Sequence, residues 1–258
     1  KTLTLGGSTT GTGEIAGTIP NPPASGKVAI TKNGTGAWTL SGNNSFTGDV
    51  NIAGGTLILS GANAQGNGAI NVASAAADAI MRIEPGAQLT GAYGIRVGHT
   101  GAAHGALYMT GGAVNRTPAT GTDLAFTIGR AAGSYGYFNM SGGDMTITRI
   151  QTGASGATTT SNTVGNVRIT GGTLTLPDYM LLSRGQGCVG AFTVEGGLVN
   201  HTNAAQNLSL GYEGGRAELN MLGGALESYG RNLTVRQSAS SPTGIVNLCA
   251  GLLSIDLF

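Results

Sequence analysis

A glycine pair, or a close substitute for one, returns eight times along this chain: Gly54-Gly55, Pro85-Gly86, Gly111-Gly112, Gly142-Gly143, Gly171-Gly172, Gly196-Gly197, Gly223-Gly224 and Ala250-Gly251. Successive second glycines lie 25 to 31 residues apart, about 28 on average. The spacing is loose, but the residues ahead of each pair are not. Three places before the second glycine stand Ile52, Ile83, Met109, Met140, Ile169, Val194, Met221 and Leu248. Five places before it stand Val50, Met81, Leu107, Phe138, Val167, Phe192, Leu219 and Val246. Between these two apolar columns the residue is polar or, at Tyr108, amphipathic, as in Asn51, Arg82, Asn139, Arg168, Thr193, Asn220 and Asn247. Apolar, polar, apolar at period two is a strand with one buried face. Seven places before the anchor only glycine or alanine enters, from Gly48 and Ala79 to Ala217 and Gly244.

Further strands follow the same register. One comes after the anchor, as in Thr56-Leu57-Ile58-Leu59 and Thr173-Leu174-Thr175-Leu176; another precedes the long turn, as in Ile95-Arg96-Val97-Gly98 and Phe126-Thr127-Ile128-Gly129. A unit this short cannot bury its apolar face alone, so it must stack on its neighbours. The expected fold is therefore all-β: a right-handed single-stranded parallel β-helix with about 28 residues and three short strands per rung. The expected organisation is one solenoid over residues 1–258, with N-terminal rungs in 1–47 and eight anchored rungs in 48–258, as part of a longer chain or alone. Helix is disfavoured, because no segment shows a 3.6-residue period and each interior helical glycine would cost about 0.8 to 1 kcal/mol. Propellers use longer repeats, and the leucine framework of leucine-rich repeats is missing.

Composition removes other classes. Glycine supplies 47 of 258 residues, yet it does not recur every third position as collagen requires. Hydrophobic residues make up 40% of the chain and fall in ordered alternation, which argues against disorder. A net charge of +1 without any Lys/Arg run offers no footprint for nucleic acid or anionic lipid. No stretch approaches the 18 or so consecutive apolar residues of a membrane span, so no membrane insertion is expected. Two cysteines, Cys188 and Cys249, are too few for a disulfide framework; placed about two rungs apart, they are expected as buried thiols.

Residues 34–59, GTGAWTLSGNNSFTGDVNIAGGTLIL, resemble the autotransporter-associated β-strand repeat of bacterial surface proteins and passenger domains. The stretch LTLGGSTTGTGEIAGTI, residues 3–19, is similar to the segment that leads into that repeat. FTIGRAAGSYGYFNMSGGDMTIT, residues 126–148, resembles the looser repeats of the same extracellular proteins. The resemblance implies a secreted or surface-displayed bacterial β-helix, often part of a longer polypeptide.

Parallel β-helices also host polysaccharide-cleaving enzymes, whose chemistry needs two or three converging carboxylates. Here twelve acidic residues scatter. Asp49 and Glu218 share one column six rungs apart, and Glu84 and Glu195 another four rungs apart, which at ~4.8 Å per rung separates them by ~29 and ~19 Å. The densest set, Glu195, Glu213, Glu218 and Glu227, reads as solvated outer positions. His99 and His104 flank one loop and His201 stands apart, so no metal spacing is present; no nucleophile elbow or phosphate loop is found, and no cofactor is expected. Trp38 reads as a packed or edge-covering aromatic, the alternative being a sugar-stacking platform. Asn220 and Asn247 occupy adjacent rungs and are placed to start an amide ladder.

Two surfaces remain as candidates. His99, Arg130, Arg184, Tyr212 and Arg236 recur just after one strand and form a candidate edge for glycans or protein partners, the alternative being stems that cover apolar surface. Leu3, Leu5, Leu252, Leu253, Ile255, Leu257 and Phe258 crowd the two ends, where an open solenoid exposes unpaired backbone. They are candidates for head-to-tail self-association, which generates a fibre when it does not close. The expected role is a non-catalytic extracellular structural β-solenoid of a bacterial cell surface, a filament subunit or adhesin rod. The alternative is a carbohydrate-binding or polysaccharide-degrading β-helix.

Overall fold

The alternating columns stack as parallel strands. In the computed structural model, which describes all residues except 9–10, 24–25, 63–67, 118–124, 154–161, 204, 230–231, 236–242 and 256–258, the chain winds into a β-solenoid. One sheet of ten strands, the first face, runs from Thr2–Leu5 through Val50–Ile52, Ile95–Val97 and Met180–Leu182 to Leu233–Val235. The other strands form a second and a third face on either side of the glycine-pair bend. The second face includes Ala79–Ile83, His104–Met109, Tyr135–Met140, Val164–Ile169 and Val189–Val194, and the third includes Gln88–Thr90, Ala113–Arg116, Asp144–Ile147, Thr173–Leu176 and Leu198–His201. The long strands Arg216–Ser228 and Thr243–Ile255 run through the bend and join these two faces into one fifteen-stranded sheet. No α-helix occurs among the described residues; a single 3₁₀ turn spans Tyr212–Gly214.

The apolar columns from the second anchor onward align as read. Met81, Leu107, Phe138, Val167, Phe192 and Leu219 are neighbours across successive rungs, as are Ile83, Met109, Met140, Ile169, Val194 and Met221, and all are buried. Phe126 and Phe138 meet edge to face inside the tube, 4.8 Å between centroids.

The first anchor departs from this register. Val50–Ile52 lies in the first face, against Ala29–Lys32 and Ile70–Val72, while Gly55–Leu59 takes the second-face place with Leu57 beside Met81 and Leu59 beside Ile83. Gly54-Gly55 therefore does not mark the bend marked by the other seven pairs, and Gly55 sits beside Ala79 in the small-residue column. The reason is the length of the rung. In this region a rung has two strands and advances 20 residues, as between Asn51 and Asn71, and the third face begins only at Gln88–Thr90. Asp49 consequently shares no column with Glu218, which lies on the second face beside Ala191.

Two corners need glycine. At the bend between second and third faces the second glycine of each pair is left-handed; Gly172 has φ +81°, and a Cβ there would stand 2.4 Å from the Gly143 carbonyl oxygen. At the corner between first and second faces the left-handed residues include Gly98, Gly129, Gly153, Gly211 and the non-glycines Ala73 and Ser183. The small column lies against that corner: a Cβ on Gly136 would be 2.2 Å from the Gly129 nitrogen.

The two buried cations inside the tube are partnered by the backbone. Lys32 takes an inward position; its ammonium donates to the carbonyls of Asn33 (2.8 Å), Gly34 (2.9 Å) and Gly54 (3.1 Å), and burial lowers its pKa. Arg116 enters the interior where the third face starts, with Nε donating to the Tyr93 carbonyl at 2.7 Å and Nη2 to that of Gly68. Burial pushes it down to about 10, with Asp49 opposing. Trp38 packs against the core and donates from Nε1 to the Gly6 carbonyl at 2.7 Å, with its ring over Gly13. The asparagine ladder forms: Asn247 Nδ2 donates to Asn220 Oδ1 at 2.6 Å. Cys188 is buried as expected, but Cys249 is exposed, because it stands one place after the inward column, where Thr110, Ser141, Glu195 and Leu222 are exposed as well.

Replacing Gly172 with alanine imposes a left-handed φ on an L side chain, about 1 to 3 kcal/mol, besides the contact with the Gly143 oxygen. Gly172→Ala is expected to lower the urea midpoint clearly, whereas Gly17→Ala, whose Cβ meets nothing within 4 Å, leaves it in place. Equal midpoints would refute the corner argument. A second prediction concerns His201, buried in the third face with Nδ1 2.8 Å from Ser228 Oγ. Burial lowers its pKa from 6.5, and Asp178 opposes that only in part. The folded state therefore holds fewer protons than the unfolded one between the two values, so stability is fully present above about pH 6.5 and falls as the pH drops through the folded value. Thermal melts from pH 7.5 to 5 are expected to show this loss, and His201→Leu to flatten it.

Candidate functional site

The outward column of the first face is where the solenoid concentrates polar chemistry. Strand pairing sets Asn51, Asn71, Arg96, Thr127, Gln151, Leu181 and Ser209 one above another, each between two core-facing neighbours. A column facing away from a core is normally wet. Here Asn71, Thr127, Gln151, Leu181 and Ser209 are themselves buried, with Thr127 at 3% and Ser209 at 1% exposure, so other groups cover this face.

The buried amides are joined along the stack. Asn71 Nδ2 donates to Asn51 Oδ1 and Arg96 Nη1 donates to Asn71 Oδ1, both at 2.8 Å. Two rungs beyond Arg96, Gln151 Nε2 donates to the Tyr179 phenol at 2.9 Å, and Arg184 Nη1 donates to Gln151 Oε1 at 3.4 Å. Arg149 lies over the Tyr179 ring, 4.8 Å from its centroid, and 3.7 Å from the Asp178 carboxylate. Arg184 Nε is 3.9 Å from Glu213 Oε2. Burial raises the Tyr179 pKa, with the neighbouring arginines opposing, so the phenol stays protonated.

This network ends in a cleft of about 240 Å³ lined by Tyr179, Leu181, Arg184, Gln206, Asn207, Ser209 and Tyr212. Its lip is the 3₁₀ turn Tyr212–Gly214, held by left-handed Gly211 and containing Glu213 at φ 57°. A non-glycine residue in that region is strained, and such strain is found where structure holds a group in place. Around the cleft Asn207 Oδ1, Glu213 Oε2 and Arg149 Nε are buried without a hydrogen-bond partner among the described residues, as are Ser134 Oγ, Asn200 Oδ1 and His201 Nε2 elsewhere.

The residues proposed as an edge fall into two groups. His99 and Arg130 occupy adjacent rungs, with Nδ1 and Nη1 3.4 Å apart, and stand away from the cleft. Arg184 and Tyr212 are brought together in the cleft wall. Arg236 lies outside the described residues, as do Leu257 and Phe258 among the end residues. Of the other end residues, Leu5 is a core residue and Leu3, Leu253 and Ile255 are half-buried, whereas Leu252 is 50% exposed beside Leu248 at 63%. Tyr179, Gln206 and Asn207 were not singled out from the sequence, because they sit in turns where no periodicity marks them.

On the outside of the second face a flatter patch combines Tyr108, Tyr135, Tyr137 and His104. Tyr108 and Tyr137 meet edge to face at 5.8 Å, His104 and Tyr135 at 6.2 Å. Asn166 Nδ2 donates to the Tyr135 phenol at 3.1 Å, and His104 Nδ1 lies 3.0 Å from Asp78. The four glutamates of the densest acidic set face separate partners. Glu195 holds Arg168 through two bonds of 2.8 and 2.6 Å, Glu218 receives Arg216 at 2.7 Å, Glu213 faces Arg184, and Glu227 accepts from Tyr229 at 3.5 Å.

Comparison with known proteins agrees with the repeat. Residues 30–59, which form two successive two-strand rungs, match the model of the passenger-associated-transport repeat, in line with the resemblance seen over 34–59. The chain is also 46% identical over 57 residues to the adhesin BmaC autotransporter of Brucella suis biovar 1 (strain 1330). That stretch is 22% of this chain and 2% of the adhesin, so the chain spans a small fraction of the relative it matches. No solved structure matches the chain.

Proposed function

We propose that this β-solenoid, which carries an autotransporter passenger repeat, is a rod segment of an adhesin displayed outside a bacterial cell, and that its role is contact rather than catalysis. The observation that carries the reading is the repeat itself. The segment that matches the passenger repeat is built into the same continuous first and second sheets as the rest of the chain. A rod so built holds its outer columns at fixed spacing and presents them as extended faces to surface glycans or proteins. The glutamates support a non-catalytic role, since each faces a separate partner instead of converging on one reacting centre.

The finer reading is that copies of the rod stack head to tail. Thr243–Ile255 pairs with Arg216–Ser228 along one edge, and Leu248 and Leu252 stand exposed upon it. Among the described strands none pairs with the other edge of Thr243–Ile255; a free parallel edge is a template for a further strand in register, and heterologous stacking that does not close extends as a fibre.

Beads coated with the 258-residue chain are expected to adhere to epithelial monolayers above beads coated with an unrelated β-rich protein. Adherence no greater than the control would sink the adhesive reading. Negative-stain microscopy over a concentration series is expected to show fibres that lengthen with concentration and shorten in Leu252→Lys. Dispersed short rods at every concentration would refute head-to-tail stacking and leave adhesion standing.

A further inference from the structure

We propose that the first-face cleft beside Tyr179 and Tyr212 is a binding site for one neutral sugar ring of a glycan, an assignment that rests on the adhesive reading for its biological use but not for its chemistry. Size sets the first limit. At about 240 Å³ the cleft lies below the roughly 300 to 1,000 Å³ of pockets for drug-sized ligands, which leaves room for a single pyranose and not for a folded peptide.

The lining sets the second limit. Tyr179 and Tyr212 supply aromatic surface to an apolar sugar face, while Gln206, Asn207 and Arg184 bring the donors and acceptors that hydroxyls need. Asn207 is a lining residue whose Oδ1 is a buried acceptor without a donor among the described residues. An unmet buried acceptor carries a desolvation cost that a ligand hydroxyl removes on binding.

Charge sets the third. The two arginines nearest the site are matched by two carboxylates: Arg149 lies 3.7 Å from Asp178, and Arg184 lies 3.9 Å from Glu213. Among the described residues these charges balance, which favours a neutral ligand over a uronate, a sialic acid or a phosphate. A peptide strand is disfavoured for a separate reason. It would bind by adding to an open sheet edge, whereas Met180–Leu182 at the cleft floor is paired with Arg149–Thr152 on one side and Leu208–Leu210 on the other. The strained turn then has a use: it fixes Tyr212 and Glu213 at the lip before a ligand arrives, which reduces the ordering cost of binding.

Saturation-transfer NMR on the 258-residue chain with methyl glycosides of neutral hexoses, and with methyl glucuronide and a sialoside as charged counterparts, tests the assignment. At least one neutral glycoside is expected to bind with a Kd around 1 mM. Tyr212→Ala and Asn207→Ala should each weaken it at least tenfold, and Tyr137→Ala on the second face should not. Tyr212→Phe, which keeps the ring, should hold the Kd within about threefold, so that a misfolded Tyr212→Ala protein does not decide the matter. Binding confined to the charged sugars, binding unchanged in Tyr212→Ala and Asn207→Ala, or no binding at all would overturn the proposal. Adherent beads without glycoside binding would refute the cleft and leave the adhesive reading intact; glycoside binding without adherence would do the reverse.

Discussion

The backbone ladder between rungs is the interaction on which the rest of this structure depends. Each strand bonds to the strand one turn before and one turn after, so every side-chain column is stacked by the same few Å that separate hydrogen-bonded strands. This holds only if the chain turns corners without pushing its rungs apart. Left-handed glycines at the pair bend, and the ring of left-handed residues after the first face, let the backbone reverse within two or three residues. The small column beside that corner admits the close approach, and a side chain there would enter the neighbouring strand's backbone. The abundance of glycine is thus a consequence of geometry that repeats at every turn.

Once the ladder is fixed, a polar group inside the tube has one ready set of partners, the carbonyls left over at the corners. Lys32 and Arg116 both use it. Each stands in an apolar column, and each bonds to turn carbonyls that no strand neighbour satisfies. Arg116 reaches the Gly68 carbonyl, 48 residues back along the chain, at the point where two-strand rungs give way to three-strand rungs. Arg116 thus fills the place where the cross-section changes and Lys32 a corner of the two-strand rungs, and their lowered pKa values record the desolvation involved. His201 is a contrasting case, neutral by burial and bonded sideways to Ser228 in the next rung rather than to a corner.

The strand columns were legible in sequence because a solenoid writes the same register many times; seven anchors place the second face residue by residue. The first anchor misled because a glycine pair does not say which corner it turns. Val50 and Ile52 show the same period-two alternation on the first face as Met81 and Ile83 show on the second, and only the partners distinguish them. Cys249 follows the inward column by one place, so the period-two alternation itself turns it outward, as it does Thr110, Ser141 and Glu195. Of the cleft, Arg184 and Tyr212 could be read from their recurring place after the first face. Tyr179, Gln206 and Asn207 belong to turns of unequal length, and their meeting depends on how those turns lie across rungs.

The burial of the first face's outward column bears on why a binding surface should sit there. A two-sided buried strand has no solvent face to vary, so its middle residues are constrained by covering side chains as tightly as its core residues are by packing. Polar residues in such a place must complete their bonds within the stack, as Asn51, Asn71 and Arg96 do, or present what is left to a ligand. Around Gln151, Tyr179 and Arg184 the network is held from below by the ladder and from the side by Arg149 and Asp178, yet it stops short at Asn207 and Glu213. The second-face tyrosines lack that framing. Their rings lean on one another across an open sheet, so the patch is a platform without walls. Walls that hold Tyr179 and Tyr212 around a rigid ladder are what separate the cleft from that platform.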